Sequence, residues 1–251
     1  MTIGMQGKVA LVTGGARDVG RQIALELAAQ GVEVAVNYNG SQKEANQVVA
    51  DVEAAGSTGR AYQADVSNYD QVKAMVDRIA SDFGRLDILV NNAGLVVRDR
   101  FVDSKPGDWE KQIGVGLYGV IHTCHAAAPH MIKQNGGRII SLAGDSARIG
   151  ENGLAVTAAS RAGAIALIKS LAREFGRYNI TANAVSLGLI ETAHSDPEWL
   201  EQNREKIVRM YPLRRIGKVT DVAPAVAFLA SEGASWITGQ VLSVNGGFSM
   251  V

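Results

Sequence analysis

Short runs of β-branched and aliphatic residues alternate with amphipathic stretches along the chain. The runs KVALVT, VEVAVNY, RAYQAD, LDILVNN, GRIISLA, NITANAV and QVLSVN predict strands. Most are near-continuous apolar runs, the pattern of strands in a parallel sheet that is covered on both faces. Between them, GRQIALELAAQG, SQKEANQVVADVEAAG and NYDQVKAMVDRIASDFG read as helices. In the first, apolar Ile23, Leu25 and Leu27 are interleaved with polar Arg21, Gln22 and Glu26, and Gly31 supplies a stop. Ser41 and Asn68 stand where N-caps are expected. Repeated strand–helix alternation predicts an α/β fold: one domain over residues 1–251, a doubly wound (Rossmann-type) parallel sheet of about seven strands with helices on both faces. No Pro/Ser-rich linker interrupts it. One irregular region, at about 186–217, breaks the alternation, and a stretch that long is expected to work as a lid over an active site.

Composition narrows the function classes. The 251 residues are 47% hydrophobic, enough for one substantial core. Lys+Arg and Asp+Glu are both 25, giving no net charge. A nucleic-acid partner would call for a basic excess or face, so none is expected. The apolar runs are of strand length, short of the roughly 18 residues of a membrane span, and no membrane partner is expected. The opening MTIGMQGKVALVTGG shows no signal-peptide pattern, and Cys124 is the single cysteine, so a reducing, cytoplasmic setting is expected. His122, Cys124 and His125 cluster in GVIHTCHAAAPHM, but without a third well-spaced ligand they predict helix packing and no metal site.

The candidate chemistry begins at TGGARDVG, which follows the first strand and opens the first helix. Glycine there lets the backbone approach a pyrophosphate, which the helix N-terminus stabilises. Asp65, after the third strand, is placed to accept from an adenine amino group. NNAG, Asn91 to Gly94, ends the fourth strand, and ITGQVLSVNGG closes the chain. Together with GRII and AASRAG these motifs resemble the short-chain dehydrogenase/reductase family over nearly the whole chain. The resemblance is nearest to bacterial members acting on 3-oxoacyl thioesters or cyclic hydroxyacyl-CoA compounds.

The resemblance implies NADP or NAD as cofactor, held by Gly14, Arg17, Asp18, Val19, Asn37, Asp65, Val66, Asn92, Ala93, Gly94, Arg161, Gly188 and Ile190. It also shows departures. The family's turn reads T-G-x-x-x-G-x-G, and Asp18 replaces its middle glycine. A carboxylate about 4 Å from a phosphate repels it by roughly 1–4 kcal/mol. Arg17 is expected either to pair with Asp18 or to meet the 2′-phosphate of NADP. Asn37, where NAD-preferring members carry an acid, slightly favours NADP. In the lid, Leu187 precedes Gly188 where the family has proline before glycine, although Ile190 and Thr192 match.

The family's catalytic set is Asn, Ser, Tyr and Lys, the tyrosine being acidified from a pKa of about 10 by the lysine one helical turn on. The aligned positions hold Gly116, Gly144, Thr157 and Arg161. A threonine hydroxyl donates a hydrogen bond but is no acid near neutrality, and arginine stays protonated. Losing a positioned acid removes about 10²–10⁴-fold in rate, so the ordinary family mechanism cannot run on these residues. Thr157 and Arg161 keep the catalytic helix face. Asp145, Ser146 and the lid's His194 are the candidate replacements, with Asp145 otherwise expected to be a solvated loop acid. An NAD(P)(H)-linked oxidoreductase acting on a small keto or hydroxy substrate, a cyclic compound or acyl thioester among them, stands first. A non-redox lyase or hydrolase reusing the cleft is one alternative. A catalytically silent subunit of a hetero-oligomer is the other. The family implies a homotetramer formed through helices that contain Tyr118 to Met131 and Thr157 to Phe175.

Overall fold

The computed structural model describes residues 4–251. The chain runs β1 (Val9–Val12), α1 (Asp18–Ala29), β2 (Glu33–Tyr38), α2 (Gln42–Ala54), β3 (Gly59–Gln63), α3 (Tyr69–Phe83) and β4 (Ile88–Asn91). It continues as α4 (Pro106–Ile113), one π-helical turn (Gly114–Tyr118), α5 (Gly119–Gln134), β5 (Gly137–Gly144), α6 (Ser146–Ile149) and α7 (Ala155–Phe175). It ends as β6 (Ile180–Leu187), β7 (Ile190–Glu191), α8 (Pro197–Met210), β8 (Gly217–Lys218), α9 (Val219–Ala230) and β9 (Val241–Val244).

The main sheet has seven strands in the order β3-β2-β1-β4-β5-β6-β9, every pairing parallel. Side-chain alternation feeds two cores. Ala10 and Val12 pack with Ile23, Leu27, Val222 and Val226 on one face, and Val9 and Leu11 with Ile79, Met131 and Ile168 on the other. Burial on both sides explains why the strands read as continuous apolar runs. Asn68 caps α3, accepting from Gln71 N, whereas Ser41 makes no side-chain cap bond. The stretch Ala155–Tyr178 is long and apolar enough to cross a membrane by length and composition, contrary to the strand-length expectation. It packs on β5 and β6, with Ala164, Ile168, Ala172 and Phe175 in the core.

The region expected to be irregular is largely ordered. β7 and β8 pair in parallel, Ile190 opposite Gly217, and α8 lies between them. Asp196 caps α8 by accepting from Glu198 N and Trp199 N, both at 3.0 Å. At the far end Arg215 forks onto Asp221 at 2.5 and 2.8 Å, and Asp221 also accepts from Lys218 N, capping α9.

The ends of β1 and β4 are knitted together. Thr13 Oγ1 accepts from Asn92 N at 3.0 Å and Ala93 N at 3.1 Å, while Asn92 Nδ2 donates to Thr13 O and Gly14 O, both at 3.0 Å. This closeness requires glycine: a Cβ on Gly20 would fall 2.3 Å from Gly14 O and 2.5 Å from Asn92 Nδ2. Gly20→Ala is therefore expected to cost about 2 kcal/mol or more in a denaturant melt. The Arg215 guanidinium holds the Asp221 carboxyl down to about 2, from 3.8 when free. Because the folded value is the lower, the pair's contribution is complete above about pH 4 and is lost as pH falls through about 2. Asp221→Asn should cost roughly 1–2 kcal/mol near neutrality and flatten the acid limb of a pH–stability profile.

Candidate active site

The carboxyl ends of β1 to β4 open into a cleft of about 370 Å³, at the point where the strand order reverses and α/β sheets bind ligands. Gly14, Arg17, Asp18, Val19, Asn37, Asp65, Val66, Asn92, Ala93 and Gly94 all line it. So do Tyr38, Asn39, Gly40, Ser41 and Val115, which sequence reasoning missed. The Asn-Gly-Ser turn after β2 was the available signal.

The lining residues differ in what they offer. Asn37 is buried and spent on the fold: Oδ1 accepts from Gly14 N at 3.2 Å, and Nδ2 donates to Ala64 O at 3.1 Å. It shapes the cleft but offers no side-chain group to a ligand. Asp65 uses Oδ1 to accept from Ser67 N and Oγ, at 2.9 and 2.7 Å, which leaves Oδ2 open to the cleft. Arg17 is exposed and pairs with no described residue, so the expected Arg17–Asp18 pair is replaced by another. Asp18 meets His194 of the lid at 2.9–3.0 Å. The two positions are 176 residues apart, so no local pattern announces the pair. Asp18 also holds a left-handed backbone, φ 51°, where glycine is at ease and an ordinary L residue costs roughly 1–2 kcal/mol.

The catalytic helix face is rearranged as a group. Thr157 is buried and donates to Gln112 Oε1 at 2.5 Å, so its hydroxyl is committed to α4. Ser160 donates to Gln112 O at 3.2 Å, and its Oγ would lie 2.6 Å from a Cβ on Gly116. Arg161 extends over two glycines: Nη1 would be 2.9 Å from a Cβ on Gly144, and Nη2 3.4 Å from one on Gly94. Ser146 Oγ would be 3.6 Å from the same Gly144 point. The guanidinium thus fills the room of a serine side chain, and burial draws its pKa below the usual arginine value.

Asp145 is not the solvated acid expected. It is 2% exposed, and its carboxylate accepts from Ser186 Oγ at 2.7 Å and Asn245 Nδ2 at 2.6 Å, tying β5, β6 and the turn after β9 together. That is a structural strut. Gly188 and Ile190 also leave the nucleotide cleft. A Cβ on Gly188 would meet Tyr211 and Asn245, and Ile190 lines a separate cavity of about 460 Å³ with Tyr211 and Gly217. Nothing in the sequence marks Tyr211. Its hydroxyl accepts from Leu189 N at 2.8 Å and burial raises its pKa, so it is no substitute acid. His122 bonds to Val66 O and His125 to Tyr69 Oη, two separate packing contacts.

Residues 14–249 match the family described as enoyl-(acyl carrier protein) reductase. A 3-oxoacyl-[acyl-carrier-protein] reductase FabG of Staphylococcus aureus is 44% identical over 243 residues, 97% of this chain and 98% of that one. A 3-oxoacyl-[acyl-carrier-protein] reductase of Synechocystis is 38% identical over 98% of each chain. The crystal structure of a putative short-chain alcohol dehydrogenase from Sinorhizobium meliloti superposes with a TM-score of 0.94 at 30% identity, covering 99% of this chain and 98% of that one. The chain belongs to the short-chain dehydrogenase/reductase family.

The nicotinamide cofactor of short-chain dehydrogenases/reductases suits the cleft except at Asp18. Asp18→Gly relieves the left-handed strain but removes the His194 contact and an acid at the α1 N-terminus, the latter worth about 0.3–1 kcal/mol. Stability should barely change, while NADPH binding, followed by nicotinamide fluorescence, should tighten about tenfold or more. His194→Ala, which strips the carboxylate of its partner, should weaken binding.

Proposed function

We propose that the protein is an NADP-preferring oxidoreductase of a keto or hydroxy compound whose proton path differs from that of its relatives. The observation that carries this reading is the cleft itself. Its stapled glycine turn, the open Asp65 oxygen and the unpaired Arg17 form a dinucleotide seat, with no acid on the Asn37 to Ser41 rim to repel a 2′-phosphate. The cofactor supplies the hydride. The chain's own residues bind and orient: Arg161 presents a fixed positive charge beside Gly94, and Ser146 a hydroxyl beside Gly144. With Thr157 committed to Gln112, Asp145 to Ser186 and Asn245, and His194 to Asp18, each acid of the expected set is already engaged elsewhere. Water in the small void between Gly94, Gly116 and Arg161 is the proton source that remains.

The same enclosure of Asp145 weighs against a lyase or hydrolase built on that carboxylate. The commitment of Thr157 favours one second reading, a silent subunit that supports an active family member. A homotetramer remains the assembly proposed for the first reading. Its helix face is small enough for close packing, with Ala155, Ala159 and Ala166 exposed along α7, and the cytoplasm is the proposed setting. NADPH titration should give a saturable fluorescence change, with NADP bound at least tenfold more tightly than NAD and the preference lost in Arg17→Ala. Reduction of a 3-oxoacyl-[acyl-carrier-protein], the substrate in the name of the Staphylococcus aureus relative, should run about 10²–10⁴-fold below an enzyme with a positioned acid. No binding at millimolar NADPH sinks the oxidoreductase reading, and co-purification with an intact family member would put the silent subunit in its place.

A further inference from the structure

Asparagine followed by glycine is a chemically weak point of a polypeptide, and this chain has such steps at 39–40, 135–136, 152–153 and 245–246. With no Cβ on the second residue, its backbone nitrogen can approach the carbon of the asparagine side-chain amide. The structure sorts the four steps by whether the reacting groups are free. Asn245 is buried, and its Nδ2 donates to Asp145 Oδ2 at 2.6 Å and Ser249 O at 2.8 Å. Gly136 N donates to Met131 O at 3.2 Å, past the end of α5. At 152–153 both carbonyls are held, Asn152 O by Arg98 Nη1 and Gly153 O by Asp99 N, each at 2.9 Å. Gly153 is also fixed in the left-handed region, φ 79°.

The step after β2 is different. Asn39 and Gly40 are both exposed. Among the described residues neither the Asn39 side-chain amide nor Gly40 N has a hydrogen-bond partner. The bond that Asn39 does make falls on its carbonyl oxygen, from Gln63 Nε2 at 2.9 Å, which leaves the reacting atoms free. Ser41, next along, makes no side-chain cap bond. This is also the step that lines the nucleotide cleft.

We infer that Asn39 is a deamidation site whose modification shifts the cofactor preference of the cleft from NADP towards NAD. Gly40 N attacks Asn39 Cγ and a new C–N bond closes an imide ring. The Cγ–Nδ2 bond breaks, and ammonia leaves with the proton from Gly40 N. Water then opens the ring at either carbonyl, giving aspartate or isoaspartate. The net change is amide plus water to carboxylic acid plus ammonia, with no oxidant or reductant. The new carboxylate stands on the Asn37 to Ser41 rim, which otherwise carries no acid. Asn37 cannot play this part, being buried against Gly14 and Ala64. An acid beyond the second strand accepts from the ribose 2′-hydroxyl of NAD and repels the 2′-phosphate of NADP. The modification stands on the turn alone; its effect on the cofactor rests on the oxidoreductase reading.

The test holds the purified full chain for days at mildly alkaline pH and maps its peptides by mass spectrometry with isoaspartate detection. Fresh and aged protein are then titrated with NADPH and NADH by nicotinamide fluorescence. Asn39 should convert first, ahead of Asn152, with Asn135 and Asn245 slower still. A Cβ on Gly40 would meet nothing within 4 Å, so Gly40→Ala should fold and should slow the conversion at 39 at least tenfold. Asn39→Asp should lower the preference for NADPH over NADH about tenfold, and ageing should move the unaltered chain the same way. Faster conversion at 135, 152 or 245 than at 39, or an undiminished rate in Gly40→Ala, overturns the site. An unchanged preference in Asn39→Asp, in a protein that binds NADPH, overturns the shift. Binding of neither nucleotide removes the oxidoreductase reading and the shift with it, while the site still stands or falls on the peptides.

Discussion

The site depends on the join between the ends of β1 and β4. In a parallel sheet these are the strands from which the connections depart in opposite directions, so a crevice opens between them. Thr13 and Asn92 close its floor with four hydrogen bonds of 3.0–3.1 Å. That closure brings the backbone of the first turn against β4, with a Gly14 Cβ position only 3.1 Å from Ala93 Cα. Side chains are excluded there by contact, so glycine at 14 and 20 follows from the join. Apart from Val115, what lines the nucleotide cleft is carried on those two strand ends and the neighbouring ends of β2 and β3.

The unusual residues of the catalytic face answer one another in volume. Arg161 lies where a serine side chain at 144 would stand, and Ser160 closes on the bare Gly116. Gln112 collects both hydroxyls, from Thr157 and Ser160. A serine placed at 144 alone would find its Cβ 2.9 Å from the guanidinium, so a single substitution there meets a packed neighbour. Volume is balanced, and the charge this set carries is the single cation of Arg161.

The sheet was legible because burial on both faces writes itself as apolar runs, and the cleft because its glycines and Asp65 sit at strand ends that the pattern locates. Asn68 was legible as a cap for the same local reason. What escaped reading depends on partners far along the chain. Asp145 looks like a loop acid until Asn245, 100 positions away, supplies its amide. Asn37 looks available at the end of β2 until its amide is seen to be taken by Ala64 and the Gly14 turn. The lid reads as irregular because its order comes from one capped helix and two-residue strands, too short to leave a period.

Asp18 is the sharpest of these cases. In sequence it is a carboxylate set against phosphates; in the fold it stands at the N-terminus of α1, where negative charge is favoured, and reaches the lid through His194. Both side chains are partly open to water, 21% for Asp18 and 53% for His194, and exposed pairs of this kind contribute roughly 0.2–1 kcal/mol. A contact that weak does not hold the lid shut against thermal motion. It does mark where the 186–217 segment touches the nucleotide turn, through His194 on Asp18. One carboxylate thus serves both the N-terminus of α1 and the contact between the glycine turn and the 186–217 segment.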